Sequence, residues 1–188
     1  FLAGPAINGG VLGMLAPLAG HIFLDANLPH LAFNSLWLLV FGAPVARRFG
    51  AGEGRKSLRT FLGSSIFVMF FVLCGMAGSL TYIAAHPHEN TLLVGASGGI
   101  LGLLGGVVRF RFYRPPLMLE ETARIAPLTH RSVMAWTLFV ILSNLMIGLF
   151  GGGFLGTDDV QIAWESHIGG YLFGLLTFGV FDKVVRRL

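Results

Sequence analysis

The chain has 188 residues, 54% of them apolar and 12% charged, with a formal net charge of +4 and a mean hydropathy of +0.75. A water-soluble domain carries roughly 25% charged and about 45–50% apolar residues, so too little charge remains here to cover a water-facing globule. The basic excess is spread between long uncharged stretches, which makes it a topology signal and not a nucleic-acid surface, and the single cysteine, Cys74, excludes an intramolecular disulfide and any CxxC site.

Residues 1–24 are uncharged but hold Pro5, Asn8, Pro17 and five glycines, Gly4, Gly9, Gly10, Gly13 and Gly20. That density of breakers predicts an irregular, membrane-associated loop over residues 1–29. Further uncharged stretches occupy residues 26–46, 60–88, 90–108, 132–157 and 166–181. The first four are long enough to cross a ~30 Å hydrocarbon core as a helix, which takes about 20 apolar residues; the last reaches that length by starting at Ile162. They predict helices over about 29–46, 60–85, 91–109, 132–150 and 162–182. Runs such as FLGSSIFVMFFVLCGMAGSL at 61–80 lack the alternation of barrel strands, and helices satisfy their backbone groups within the segment. The expected class is an all-α, polytopic membrane protein forming a single domain over 1–188.

Orientation follows from the lysines and arginines. Arg47, Arg48, Arg55, Lys56 and Arg59 lie between the first and second helices, Arg109, Arg111, Arg114, Arg124 and Arg131 between the third and fourth, and Lys183, Arg186 and Arg187 after the fifth. With alternating helices all 13 fall on one side, which the positive-inside rule makes cytoplasmic. The first, third and fifth helices then run from the outside inward, and the arginine clusters serve as topology anchors and lipid-headgroup contacts.

Polar side chains inside spans are expensive and point to function. His30 and Asn34 share a face at the start of the first helix, the third carries Gly95-Ala96-Ser97-Gly98-Gly99, and the fifth begins Ser166-His167-Ile168-Gly169-Gly170. Counted from the predicted helix starts at a 1.5 Å rise, Ser97 and His167 sit at one depth, roughly 8 Å inside the outer boundary. Gly98, Gly102 and Gly106, and Gly170 and Gly174, recur at four-residue spacing, the small-residue pattern that lets helix backbones approach closely. A serine activated by a neutral imidazole is a nucleophile, and donors aimed at the oxyanion complete such a site. Ser97 is the candidate nucleophile, His167 the base, and His30 and Asn34 the oxyanion donors. His86 and His88 in a short outside loop read as solvated turn residues with no metal role, since no fourth ligand stands nearby. His21 and His130 have no evident partner in the sequence.

The motifs His30-x-x-x-Asn34, Gly95-x-Ser97-Gly98 and His167-x-x-Gly170-x-x-x-Gly174, in this order along nearly the whole chain, resemble the rhomboid intramembrane serine proteases. The resemblance implies a six-helix core whose first helix lies upstream of residue 1, with residues 1–29 as the long first loop. It implies a Ser-His dyad without metal or cofactor, acting on single-pass transmembrane protein substrates among membrane lipids near the outer face, in a multi-pass protein of a bacterial inner membrane with its site open to the periplasm. It also makes the glycine-rich stretch from Gly151 to Gly156 a cap over the site and the helix carrying Trp136 a lateral gate. Two positions depart from the family pattern: Asp25 stands where many members have a second histidine, and Leu101 where an aromatic residue often stacks on the histidine. No nucleic-acid partner is expected, and oligomeric state stays open, a monomer included.

Other readings compete. Gly95-Ala96-Ser97-Gly98-Gly99 also fits the G-x-S-x-G elbow of lipase-like hydrolases, with Asp158 or Asp159 and His167 following in order, but that elbow needs a parallel sheet that this chain cannot build. A catalytically silent protein of the same fold that binds membrane clients, or a small transporter, would need a lost serine or histidine or ionisable groups at mid-membrane.

Overall fold

The computed structural model describes residues 17–51, 57–88, 93–112, 124–154 and 162–188. Every regular element among them is helical. Four helices are long and apolar enough to cross a membrane: α1 (Leu28–Arg48), α2 (Leu58–Ala85), α4 (Arg131–Phe154, apolar through Phe150) and α5 (Trp164–Val185). A shorter apolar helix, α3 (Ser97–Phe110), lies between α2 and α4 in the sequence. The chain is therefore a polytopic helical membrane protein.

Local chemistry sets the ends. Asn27 caps α1 by accepting from the His30 N–H at 2.9 Å, and Pro29 falls in the first turn, where its missing N–H removes no bond. Leu38–Gly42 forms a π turn. Its cause is Pro44, which offers no N–H and whose ring crowds the carbonyl of Val40, so the ladder widens before resuming over Ala43–Arg48. Ser57 caps α2 through the Thr60 N–H.

α3 differs from expectation. It starts at Ser97, six residues later than the predicted start at 91, because Gly95 adopts φ +121°, a conformation that ends regular helix and suits glycine. Its 14 residues span about 21 Å against a hydrocarbon core of ~30 Å. A bilayer registered on the basic end of α3 leaves Ser97 roughly 9 Å inside the opposite surface, so the depth expected for Ser97 arises from a loop that dips inward. α4 also departs, running on through Gly151–Gly153 to Phe154 where an end at about 150, followed by the cap, was expected. The remainder of that expected cap, Asp158 and Asp159 lie outside the described residues, as do residues 1–16 of the first loop.

Side-chain pairs fix how the helices run. Arg48 near the end of α1 donates through Nε to Asp182 near the end of α5 at 2.6 Å, and Arg186 reaches the other carboxylate oxygen at 2.8 Å. Arg109 near the end of α3 donates to the Leu175 and Ala126 carbonyls. The three odd-numbered helices are thus parallel, with their C-termini at the basic end. His86, just beyond α2, lies 3.0 Å from Glu165 in the first turn of α5, so α2 is antiparallel to them; this pairing corrects the reading of His86 as an unattached turn residue.

α3 is the central element, with 11 of its 14 residues buried, while α4 is the least enclosed of the spans. Toward the basic end Phe49 and Phe110 stack on Phe178 and Phe70 meets Phe49 and Phe178 edge-on, a cluster capped by the Arg48 guanidinium 4.6 Å above the Phe110 ring. Toward the other end, glycines replace side chains. A Cβ on Gly170 would strike the Gly98 carbonyl and one on Gly174 the Gly102 carbonyl. The four-residue glycine spacings of α3 and α5 therefore mesh backbone against backbone.

Candidate active site

That backbone contact brings two side chains together. Ser97 opens α3 and His167 sits in the first turn of α5. Ser97 Oγ lies 2.8 Å from His167 Nε2, a length typical of a hydroxyl donating to an imidazole nitrogen. A Cβ on Gly98, next to Ser97, would press on Ser166 Oγ at 3.0 Å, and one on Gly170, a turn after His167, would strike the Gly98 carbonyl, so the two helices are held in close contact beside the pair.

His30 and Asn34 lie on adjacent turns of α1 and face the loop that carries Ser97: a Cβ on Gly95 would come within 2.8 Å of His30 Cε1 and 3.7 Å of Asn34 Nδ2. Asp25 binds both. Its Oδ1 accepts from Asn34 Nδ2 at 2.7 Å and lies 2.8 Å from His30 Nδ1. A carboxylate can only accept, so the 2.8 Å contact puts a hydrogen on His30 Nδ1 and outweighs the longer, 3.4 Å approach of the Ala26 N–H to the same atom. Asn34 Nδ2 also approaches His30 Nε2 at 3.4 Å. The two residues thus form one network with a carboxylate at its centre, and a neutral His30 offers Nε2 as an acceptor. Asn34 is the donor that needs no change of protonation.

The first loop reaches the site through His21. The His21 carbonyl accepts from the Gly95 N–H at 3.0 Å, and its ring is buried with Nε2 3.0 Å from Ser79 Oγ on α2. Burial holds the His21 imidazole below the ordinary histidine range. The short 3-10 turn His21–Phe23 therefore ties the first loop, α2 and the Gly95 turn together behind Ser97. Nothing in the sequence pairs His21 with Ser79, because the contact depends on how the loop folds back.

Asn144 escaped the sequence reading altogether. It lies buried in α4, with Oδ1 2.9 Å from His167 Nδ1 and Nδ2 donating to the Val140 carbonyl at 2.9 Å. Its signal was available, as an amide inside an uncharged stretch. Leu101, at the position that departs from an aromatic residue, packs against the apolar cluster that includes Leu104, Val140 and Tyr171.

An all-helical membrane bundle with a serine and a histidine in hydrogen-bond contact near one end, a buried amide behind the histidine and a second polar cluster beside the serine is the class this fold defines. Residues 12–182 match the Rhomboid domain, and the chain belongs to the rhomboid family. It is 27% identical over 161 residues to Rhomboid protease GluP of Bacillus subtilis, an overlap of 86% of this chain and 24% of that protein. It is 33% identical over 108 residues to Rhomboid-like protease 5 of Toxoplasma gondii, covering 56% of this chain and 10% of that protein, and 23% identical over 156 residues to Rhomboid protease GlpG of Serratia proteamaculans, covering 83% and 44%. The chain thus spans less than half the length of each of these three relatives. No solved structure matches it.

Proposed function

We propose that this protein is an intramembrane serine endopeptidase, residues 1–188 acting as one rhomboid-like membrane domain. The observation that carries the reading is the 2.8 Å contact between Ser97 Oγ and His167 Nε2. Ser97 attacks the scissile carbonyl as Nε2 takes its proton, giving a tetrahedral oxyanion. His167 returns that proton to the leaving amine, and the C–N bond breaks to leave an acyl-enzyme. Water then attacks the ester by the same base catalysis and frees Ser97. Asn34 serves as a side-chain oxyanion donor, joined by His30 when its Nε2 is protonated, with the Ser97 N–H as a third; Gly95, Gly98, Gly170 and Gly174 support the geometry. No metal or cofactor takes part.

The substrates are single-pass transmembrane proteins cut near the outer end of their helix. A carbonyl inside an intact helix is already hydrogen-bonded, so small or helix-breaking residues at the cut are expected. The protein resides in a bacterial inner membrane with the site toward the periplasm, the basic end being cytoplasmic, and a monomer contains every proposed catalytic group.

The test is cleavage, by the full-length protein in liposomes, of a single-pass reporter with helix-breaking residues near its outer end, the products sized by mass spectrometry. A cut near that end in the wild type and not in Ser97→Ala is the expected result. An uncut reporter that remains bound would favour the client-binding alternative. Asn34→Ala should lower turnover by roughly 10²–10³-fold, as for loss of one oxyanion donor, and so by less than Ser97→Ala; equal losses in the same assay would exclude the oxyanion role.

A further inference from the structure

We infer that Asn144 is the positioning residue for the base: from α4 it holds His167 in the tautomer whose Nε2 lone pair faces Ser97. This rests on the reading of Ser97 and His167 as nucleophile and base. The amide orientation follows from chemistry. The Val140 carbonyl can only accept, and the amide atom 2.9 Å from it must be Nδ2, since an oxygen there would face another oxygen. Oδ1 is thereby turned to His167 Nδ1 at 2.9 Å. An amide oxygen has no hydrogen to give, so Nδ1 carries the proton and Nε2, 2.8 Å from Ser97 Oγ, is left bare as the acceptor.

The surroundings keep Asn144 in that role. It is 6% exposed within an apolar helix, where an amide without partners is costly, and both ends of the amide are used. Seven residues earlier on α4, Thr137 Oγ1 lies 2.9 Å from Tyr171 Oη, four residues after His167 on α5. Near the outer end, the Trp164 indole lies against Gly148, where no side chain would fit. The Asn144–His167 bond therefore sits between two contacts that fix the separation of α4 and α5, and the ring is held from behind by α4.

Substitutions of similar volume separate this role from packing. In the full-length protein in liposomes, Asn144→Leu should lower kcat by roughly 10- to 100-fold, the scale of one buried hydrogen bond, with KM unchanged. Asn144→Asp, which keeps an acceptor oxygen at that position, should restore kcat to within about tenfold of the wild type. Equal losses in both variants, or none in Asn144→Leu, would overturn the inference. Because a variant can fail to fold, ¹⁵N NMR of histidine-labelled wild type, with His167 identified by difference against His167→Ala, provides a second readout: a protonated Nδ1 and a bare Nε2 are expected, and the reverse overturns the proposal. A wild type that cleaves no reporter and takes up no serine-directed probe would remove the protease reading, while the tautomer measurement would still decide the role of Asn144.

Discussion

Ser97→Ala should abolish reporter cleavage to within detection, a loss of roughly 10⁴-fold or more, and His167→Ala should do nearly the same. The two act as one unit. Without the hydroxyl there is nothing to form the acyl-enzyme, and without the imidazole the hydroxyl keeps its proton and is a poor nucleophile. The double variant should therefore be no slower than either single one, because the second removal takes away a partner whose function is already gone. Progress curves for the three variants in liposomes check this. Multiplicative losses would mean that Ser97 and His167 act on separate steps, against a shared proton transfer.

Gly170→Ala should lower stability by about 3 kcal/mol, at the upper end of overpacking effects, and uncouple the site. The added methyl would fall on the Gly98 carbonyl and within 3.1 Å of the Gly98 Cα. Both are helix backbone, so no rotamer can relieve the contact and α5 must move away from α3. Ser97 immediately precedes Gly98 and His167 lies one turn before Gly170, so the same movement lengthens the Ser97–His167 contact. A displacement near 1 Å is enough to lose about 10² in rate. Gly179→Ala on the same helix is the control, since nothing lies within 4 Å of its added Cβ; it should leave the melting temperature and cleavage unchanged. Thermal unfolding in detergent with cleavage in liposomes measures both. Equal melting temperatures for Gly170→Ala and wild type would contradict the close approach of α3 and α5.

The contrast between those glycines also explains what the sequence could reveal. Long uncharged runs and the one-sided lysines and arginines make the helices and their directions legible, because lipid leaves the backbone few alternatives. The approach of Ser97 to His167 is legible because glycines at four-residue spacing flank both, and such spacing has a direct geometric meaning. Asn144 is a different case. Thr137 and Asn144, seven residues apart, mark one polar face of α4, but nothing in the sequence says which helix that face meets, so the partner of Asn144 is known only when the packing is known. The Asp25 carboxylate and the His21–Ser79 contact depend on a loop whose path no periodicity encodes. The late start of α3 turns on the φ of one residue, Gly95, inside a stretch that otherwise reads as continuous helix.

The proposed chemistry requires an activated serine at position 97, and covalent labelling tests that most directly. The full-length protein in liposomes would be treated with a fluorophosphonate, digested, and the adduct mapped by mass spectrometry. An adduct on Ser97 in the wild type, absent in folded His167→Ala, is the predicted result; a folded wild type that stays unlabelled at Ser97, or labels equally without His167, would contradict it.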